Sequence, residues 1–139
     1  MKYVLRKKLT FEAAHRLIKN YEGKCTNNHG HSFEVIIELE GKELDDRDML
    51  IDFKEIKSLK EWIDTDLDHA SIMWKEDPLI EDLKKHNQKL FITEKNPTSE
   101  HIAEIILNKA IELYQSDKIK VRSIQINETC TSGIILYND

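Results

Sequence analysis

The chain has 139 residues, 40% of them hydrophobic and 34% charged, with 2 cysteines and a formal net charge of −5. A chain of that length forms one domain, residues 1–139, and buries roughly two thirds of the surface it exposes when unfolded, so neither metals nor disulfides are needed as staples. The composition argues against disorder, no apolar run approaches the ~18 residues of a membrane span, and the acidic balance argues against a nucleic-acid surface.

From the start of the chain, charge at Lys2, Arg6, Lys7 and Lys8 interrupts any apolar signal-peptide core, so a cytoplasmic location is expected. In that reducing compartment Cys25 and Cys130 are expected as free thiols. Residues 9–15 alternate, with Leu9, Phe11, Ala13 and His15 on one phase, which predicts a half-buried strand. Residues 19–28 are polar and without period, a loop of a length that is often functional. A second strand is expected over 29–40, where His31, Phe33, Val35, Ile37 and Leu39 share a phase opposite an acidic one with Ile36 as its apolar exception.

Asp52 and Glu55 have the spacing of a capping box. Phe53, Ile56, Leu59, Trp62 and Ile63 follow at helical spacing and predict a helix ending near residue 65. Residues 77–89 predict a short helix and 90–93 a short strand. Pro97 in a first turn opens a second main helix with the stripe Ile102, Ile105, Ile106, Ala110 and Leu113. Strands over 120–129 and 134–137 close the chain around the turn Thr131-Ser132-Gly133. This order predicts an α+β domain, a four-stranded antiparallel sheet with two main helices on one face.

The chemistry lies on the apolar phases. His29 and His31 flank Gly30, so on a strand their imidazoles point to one side about 7 Å apart at Cα, with Gly30 leaving room for close approach. His15 ends the preceding strand on its own apolar phase, and pairing of the two strands would add a third imidazole. A lone apolar-phase histidine is most often a hydrogen-bonded core residue, but two adjacent same-side imidazoles are hard to satisfy without an ion. Three neutral nitrogens with an open position suit a catalytic zinc. Cys25, four residues before His29, could instead close a four-ligand structural site, and spacing alone leaves both arrangements open. His86 and His101 lie in charged helical surroundings and are expected at the surface.

Glu128 extends the apolar row of Ile124 and Ile126, so it either pairs with an Arg or Lys or awaits a ligand with adjacent N–H donors. Asp68-His69 has the composition of a general-base relay, although neighbours in sequence need not touch and a helix-end or surface pair is the plainer reading. Arg16 and Lys24 are the nearest cationic candidates for phosphate contacts.

Taken in order, Phe11-Glu12-Ala13-Ala14-His15-Arg16-Leu17, Cys25 to Phe33, Ile51-Asp52-Phe53, Leu67-Asp68-His69, Pro97-Thr98-Ser99-Glu100 and Glu128 to Gly133 resemble the 6-pyruvoyl-tetrahydropterin synthase family. Its bacterial 6-carboxy-tetrahydropterin synthase branch, of queuosine and deazapurine biosynthesis, is the most similar. The resemblance implies zinc on His15, His29 and His31, Cys25 as catalytic thiol, an Asp68–His69 relay, and Glu128 with Thr129 at the pterin edge. It implies conversion of 7,8-dihydroneopterin triphosphate to 6-carboxy-5,6,7,8-tetrahydropterin, acetaldehyde and triphosphate. The alternatives are the 6-pyruvoyl-forming reaction without carbon–carbon cleavage, or a non-catalytic zinc-containing pterin-binding protein. The three-residue gap between Cys25 and His29 resembles the carboxy-forming branch, and the absence of Glu within it disfavours a glutamate variant. The resemblance further implies a tunnelling fold (T-fold), in which sheets of three subunits close a barrel and two trimers stack as a homohexamer. Asp68 and His69 would then serve a neighbour's Cys25.

Overall fold

The computed structural model describes residues 1–139. Two long strands form its centre. β1 (Tyr3–His15) and β2 (His29–Gly41) pair antiparallel from Tyr3 opposite Gly41 to His15 opposite His29. β1 thus begins six residues before the alternation does. Arg6, Lys7 and Lys8 break the pattern, and pairing with β2 carries the extended backbone through them.

β5 (Lys120–Asn127) adds antiparallel to β2, and β6 (Gly133–Tyr137) antiparallel to β5. Between Glu38 and Leu39 the β2 register shifts against β5, leaving Arg122 as the bulged residue.

The sheet has six strands, not four, in the order β4-β3-β1-β2-β5-β6, and it is mixed. β3 (Ala70–Trp74) and β4 (Leu90–Thr93) join parallel beside the last three residues of β1, connected through α2 (Leu79–Lys85). β3 has no period-2 signal because Ile72 and Met73, on opposite faces, are both fully buried. β4 is where the sequence placed a short strand, but as part of the main sheet.

α1 (Lys57–Asp66) and α3 (Ser99–Tyr114) cover one face. Leu59 and Ile63 of α1 and Ile102, Ala103, Ile106 and Ala110 of α3 join Phe11, Phe33, Val35, Ile37, Ile124 and Ile126 in one buried cluster. Full burial of each such aliphatic or aromatic side chain is worth about 1.5–3 kcal/mol. The inward stripe of α3 runs through Leu107 and Tyr114, whereas Leu113, expected inside, is exposed. The expected capping box is a 3₁₀ turn over Phe53–Ile56, in which the Asp52 carboxylate accepts from Lys54 N–H at 2.9 Å. Phe53 therefore points outward, 60% exposed. His86 is exposed, as expected. His101 is buried instead, its Nδ1 3.0 Å from Glu104. No helix is long and apolar enough to cross a membrane.

Candidate active site

The β1/β2 register assembles the histidines. His15 lies directly opposite His29, and His31, two residues along, opposes Ala13. Directly opposed residues of an antiparallel pair share a face, so the three imidazoles converge at one end of the sheet. Their ring centroids are 4.6, 4.8 and 5.1 Å apart, and one donor atom from each lies within 4.8 Å of the others. A Cβ on Gly30 would meet the Ala13 carbonyl at an ordinary 3.4 Å, so the approach of the rings does not depend on that glycine.

Two backbone carbonyls set the tautomers. His15 Nδ1 is 2.7 Å from Pro97 O, and His29 Nδ1 is 2.7 Å from Asn27 O. A carbonyl only accepts, so both Nδ1 atoms carry the proton and both Nε2 atoms present a lone pair. Burial pushes the His15 imidazole below its usual pKa despite the Pro97 bond, which favours the neutral form. His15 Nε2 and His31 Nε2 are buried and without hydrogen-bond partners. An unmet buried polar group costs about 1–3 kcal/mol, and two of them aimed together fit a metal ion.

Glu128 continues from β5 and makes no Arg or Lys pair. Its Oε1 lies 3.2 Å from His15 Nε2, 3.7 Å from His31 Nε2 and 3.4 Å from Ser99 Oγ at the start of α3. The 3.2 Å approach lacks hydrogen-bond geometry, which is why His15 Nε2 counts as unpartnered.

Cys25 sits half-buried in a 3₁₀ turn (Lys24–Thr26), and its carbonyl accepts from Leu17 N–H at 2.8 Å. It lines a cleft of about 230 Å³ with His15, Ser99 and Glu128. Its sulfur is not among the donors that all lie within 4.8 Å of one another, which are the three imidazoles.

Asp68 and His69 do touch, His69 Nδ1 to Asp68 Oδ2 at 2.7 Å. The Glu12 N–H donates to Asp68 Oδ1 at 2.9 Å, and the His69 N–H to the Glu12 carbonyl at 2.6 Å, fixing the dyad on the β1 edge. The Glu12 N–H and then the His69 ring hold the Asp68 carboxyl below its usual pKa. His69 is held at φ 61°, a left-handed conformation costly for a non-glycine residue. The dyad does not line its own chain's Cys25 cleft. His69 borders another one, with Glu12, Gly30, Ser32 and His31 of the imidazole group.

Thr129 is exposed outside the cleft, its hydroxyl accepting from Thr131 N–H at 3.3 Å. Arg16 is not free for phosphate. Its Nε donates to Asp77 Oδ2 at 2.8 Å, its second nitrogen to Oδ1, and the Asp77 side chain is wholly buried. Asp77 is a site-supporting residue that sequence reasoning did not single out, since a lone Asp before a proline carries no distinguishing signal; Ser99 stood only within the Pro97-Thr98-Ser99-Glu100 stretch, with no role assigned to it.

A T-fold-like α+β domain with three converging imidazoles, one buried and two half-buried, and a thiol in the cleft beside His15 is the class these observations define. The chain belongs to the 6-pyruvoyl tetrahydropterin synthase family, which it matches over residues 4–139. It is 35% identical to the 6-carboxy-5,6,7,8-tetrahydropterin synthase of Rickettsia bellii, covering 88% of this chain and 91% of that protein. With the enzyme of that name from Haemophilus influenzae it shares 33% identity, over 94% and 95% of the two chains. Among solved structures, a Wolinella succinogenes protein superposes with TM-score 0.87 at 26% identity, covering 100% of this chain and 99% of that one. The Plasmodium falciparum 6-pyruvoyl tetrahydropterin synthase, at TM-score 0.76 and 21% identity over 99% and 98%, shares the fold.

Proposed function

We propose that residues 1–139 act as one 6-carboxy-5,6,7,8-tetrahydropterin synthase domain, converting 7,8-dihydroneopterin triphosphate to 6-carboxy-5,6,7,8-tetrahydropterin, acetaldehyde and triphosphate. The observation that carries the metal centre is the pair of buried, unpartnered Nε2 atoms of His15 and His31 beside the Cys25 cleft. The relatives named for this reaction at 33–35% identity support its chemistry.

His15, His29 and His31 would hold zinc, which when bound supplies charge stabilisation to substrate oxygens. Cys25 acts as the base. As a thiolate it would take a proton from the substrate. Asp68 orients the His69 ring through Nδ1, leaving Nε2 to exchange a proton with the substrate. Glu128, with Thr129 on the same turn, accepts the N–H groups of the pterin edge.

Because the dyad and Cys25 border different clefts of one chain, the working site combines Asp68–His69 of one subunit with Cys25 of another. Sheets joined into a barrel, stacked as a homohexamer, provide that arrangement. The protein works in the cytoplasm, in queuosine or deazapurine biosynthesis.

Mass spectrometry of the product from 7,8-dihydroneopterin triphosphate tests the reading. 6-Carboxy-tetrahydropterin with acetaldehyde is expected. 6-Pyruvoyl-tetrahydropterin would move the assignment to the other branch, and tight binding without turnover would make this a pterin-binding protein. Cys25→Ala should keep the metal and lose about 10²–10⁴ in turnover. Loss of the metal in that variant would show the thiol to be a structural ligand.

A further inference from the structure

Glu128 stands where a group confined to the substrate edge of the cleft has no reason to be. Its Oε1 is 3.2 Å from one unpartnered buried imidazole nitrogen and 3.7 Å from another. His15 Nε2 offers a lone pair, since its Nδ1 proton is committed to Pro97. A carboxylate oxygen facing it has no proton to share, and 3.7 Å is too long for a hydrogen bond from His31. A charge-assisted N–H···O⁻ bond would draw the atoms to about 2.7–2.9 Å.

The separations match a different geometry. Four atoms bound tetrahedrally at zinc distances of about 2.0–2.2 Å stand roughly 3.3–3.6 Å from one another. The two Glu128 separations bracket that range. Neither Cys25 nor Glu128 belongs to the group of donors that all lie within 4.8 Å of one another, but Glu128 Oε1 closely approaches two of its nitrogens. Ser99 Oγ, 3.4 Å from the same oxygen, is placed to orient it as a supporting hydroxyl orients a ligand carboxylate.

We infer that Glu128 completes the metal's coordination in the substrate-free protein and is displaced by the incoming substrate. This rests on the metal centre proposed above. The single carboxylate then has two alternative partners, the metal when the cleft is empty and the pterin N–H groups when it is filled. Its charge offsets half that of a divalent ion in the resting site, and its release couples substrate entry to the opening of a coordination position.

The test uses the metal alone. Zn²⁺ affinity is measured by chelator competition and Co²⁺ absorption in the visible for the wild-type protein, Glu128→Gln and Glu128→Asp, with melting curves to verify folding. Glu128→Gln is expected to weaken Zn²⁺ binding at least about tenfold and to weaken the tetrahedral Co²⁺ bands as water replaces the carboxylate. Glu128→Asp, too short to reach, should behave alike. Unchanged affinity and unchanged Co²⁺ spectra in both folded variants would overturn the assignment while leaving the three-histidine centre standing. Failure of the wild-type protein itself to bind Zn²⁺ or Co²⁺ would overturn the centre as well.

Discussion

His15 shows how much one residue is asked to do. It is buried, hydrogen-bonded through Nδ1 to Pro97, and left with an unpartnered Nε2 facing His31 and Glu128. Replacing any one of His15, His29 or His31 by alanine should drop metal content well below one equivalent, as read by elemental analysis of the purified protein. Cys130, exposed on the turn after Glu128, lies outside the cleft, so Cys130→Ser should turn over like the wild type. That contrast separates the two thiols in a simple steady-state assay. The histidines and Glu128 were legible because a strand alternates, and a polar residue on an apolar phase stands out against its row. Asp77 was not, because only its partner, 61 positions away, makes it unusual.

At the scale of elements, the loop carrying Cys25 is fastened at two points, to the turn between β3 and α2 and to the segment between β4 and α3. Arg16 forks onto Asp77, while Lys19 and Asn96 exchange hydrogen bonds, N–H to Oδ1 at 3.2 Å and Nδ2 to the Lys19 carbonyl at 2.8 Å. Burial by itself would push the Asp77 carboxyl up, but the Arg16 fork and the Leu79 N–H outweigh it and hold it below the usual range. Removing one partner of a buried pair leaves the other uncompensated. Asp77→Ala should therefore cost about 3 kcal/mol in urea unfolding, the low end for buried pairs because Arg16 is partly exposed. An unfolded aspartate titrates near about 3.9. With the folded value depressed, Asp77's contribution is complete above that pH and is lost as pH falls through the folded value. Acid unfolding of the wild type should accordingly include a component that Asp77→Ala lacks. The β5–β6 hairpin has its own constraint, since a Cβ on Gly133 would lie 2.5 Å from the Ile126 carbonyl. Gly133→Ala should destabilise by about 1–3 kcal/mol, seen as a lowered melting temperature, and displace the turn that follows Glu128. β2, the second half of β1 and the end of β5 could be read in advance from their alternation, and β6 from the turn before it. β3 could not, because burial on both faces erases the period.

Over the whole molecule, both edges of the sheet remain open. β4 ends one side with Ile92 exposed, and β6 the other with Ile135 and Tyr137 exposed. Unpaired edges invite pairing with another chain, and their positions suit the shared site proposed for Cys25 and His69. Co-refolding inactive Cys25→Ala with inactive His69→Ala should restore turnover that neither variant shows alone, because mixed assemblies contain interfaces with both groups intact. A mixture as inactive as its components would place the complete site within one chain. By itself the sequence determined the strands that alternate, the helices and the histidines on the apolar phase, because periodicity and polarity are local properties of the chain. Only the tertiary structure decided the six-stranded order, the clasp of Arg16 by Asp77, the unpartnered imidazole nitrogens and the separation of Asp68–His69 from Cys25. Those depend on which distant segments pack together, and no local pattern carries that information.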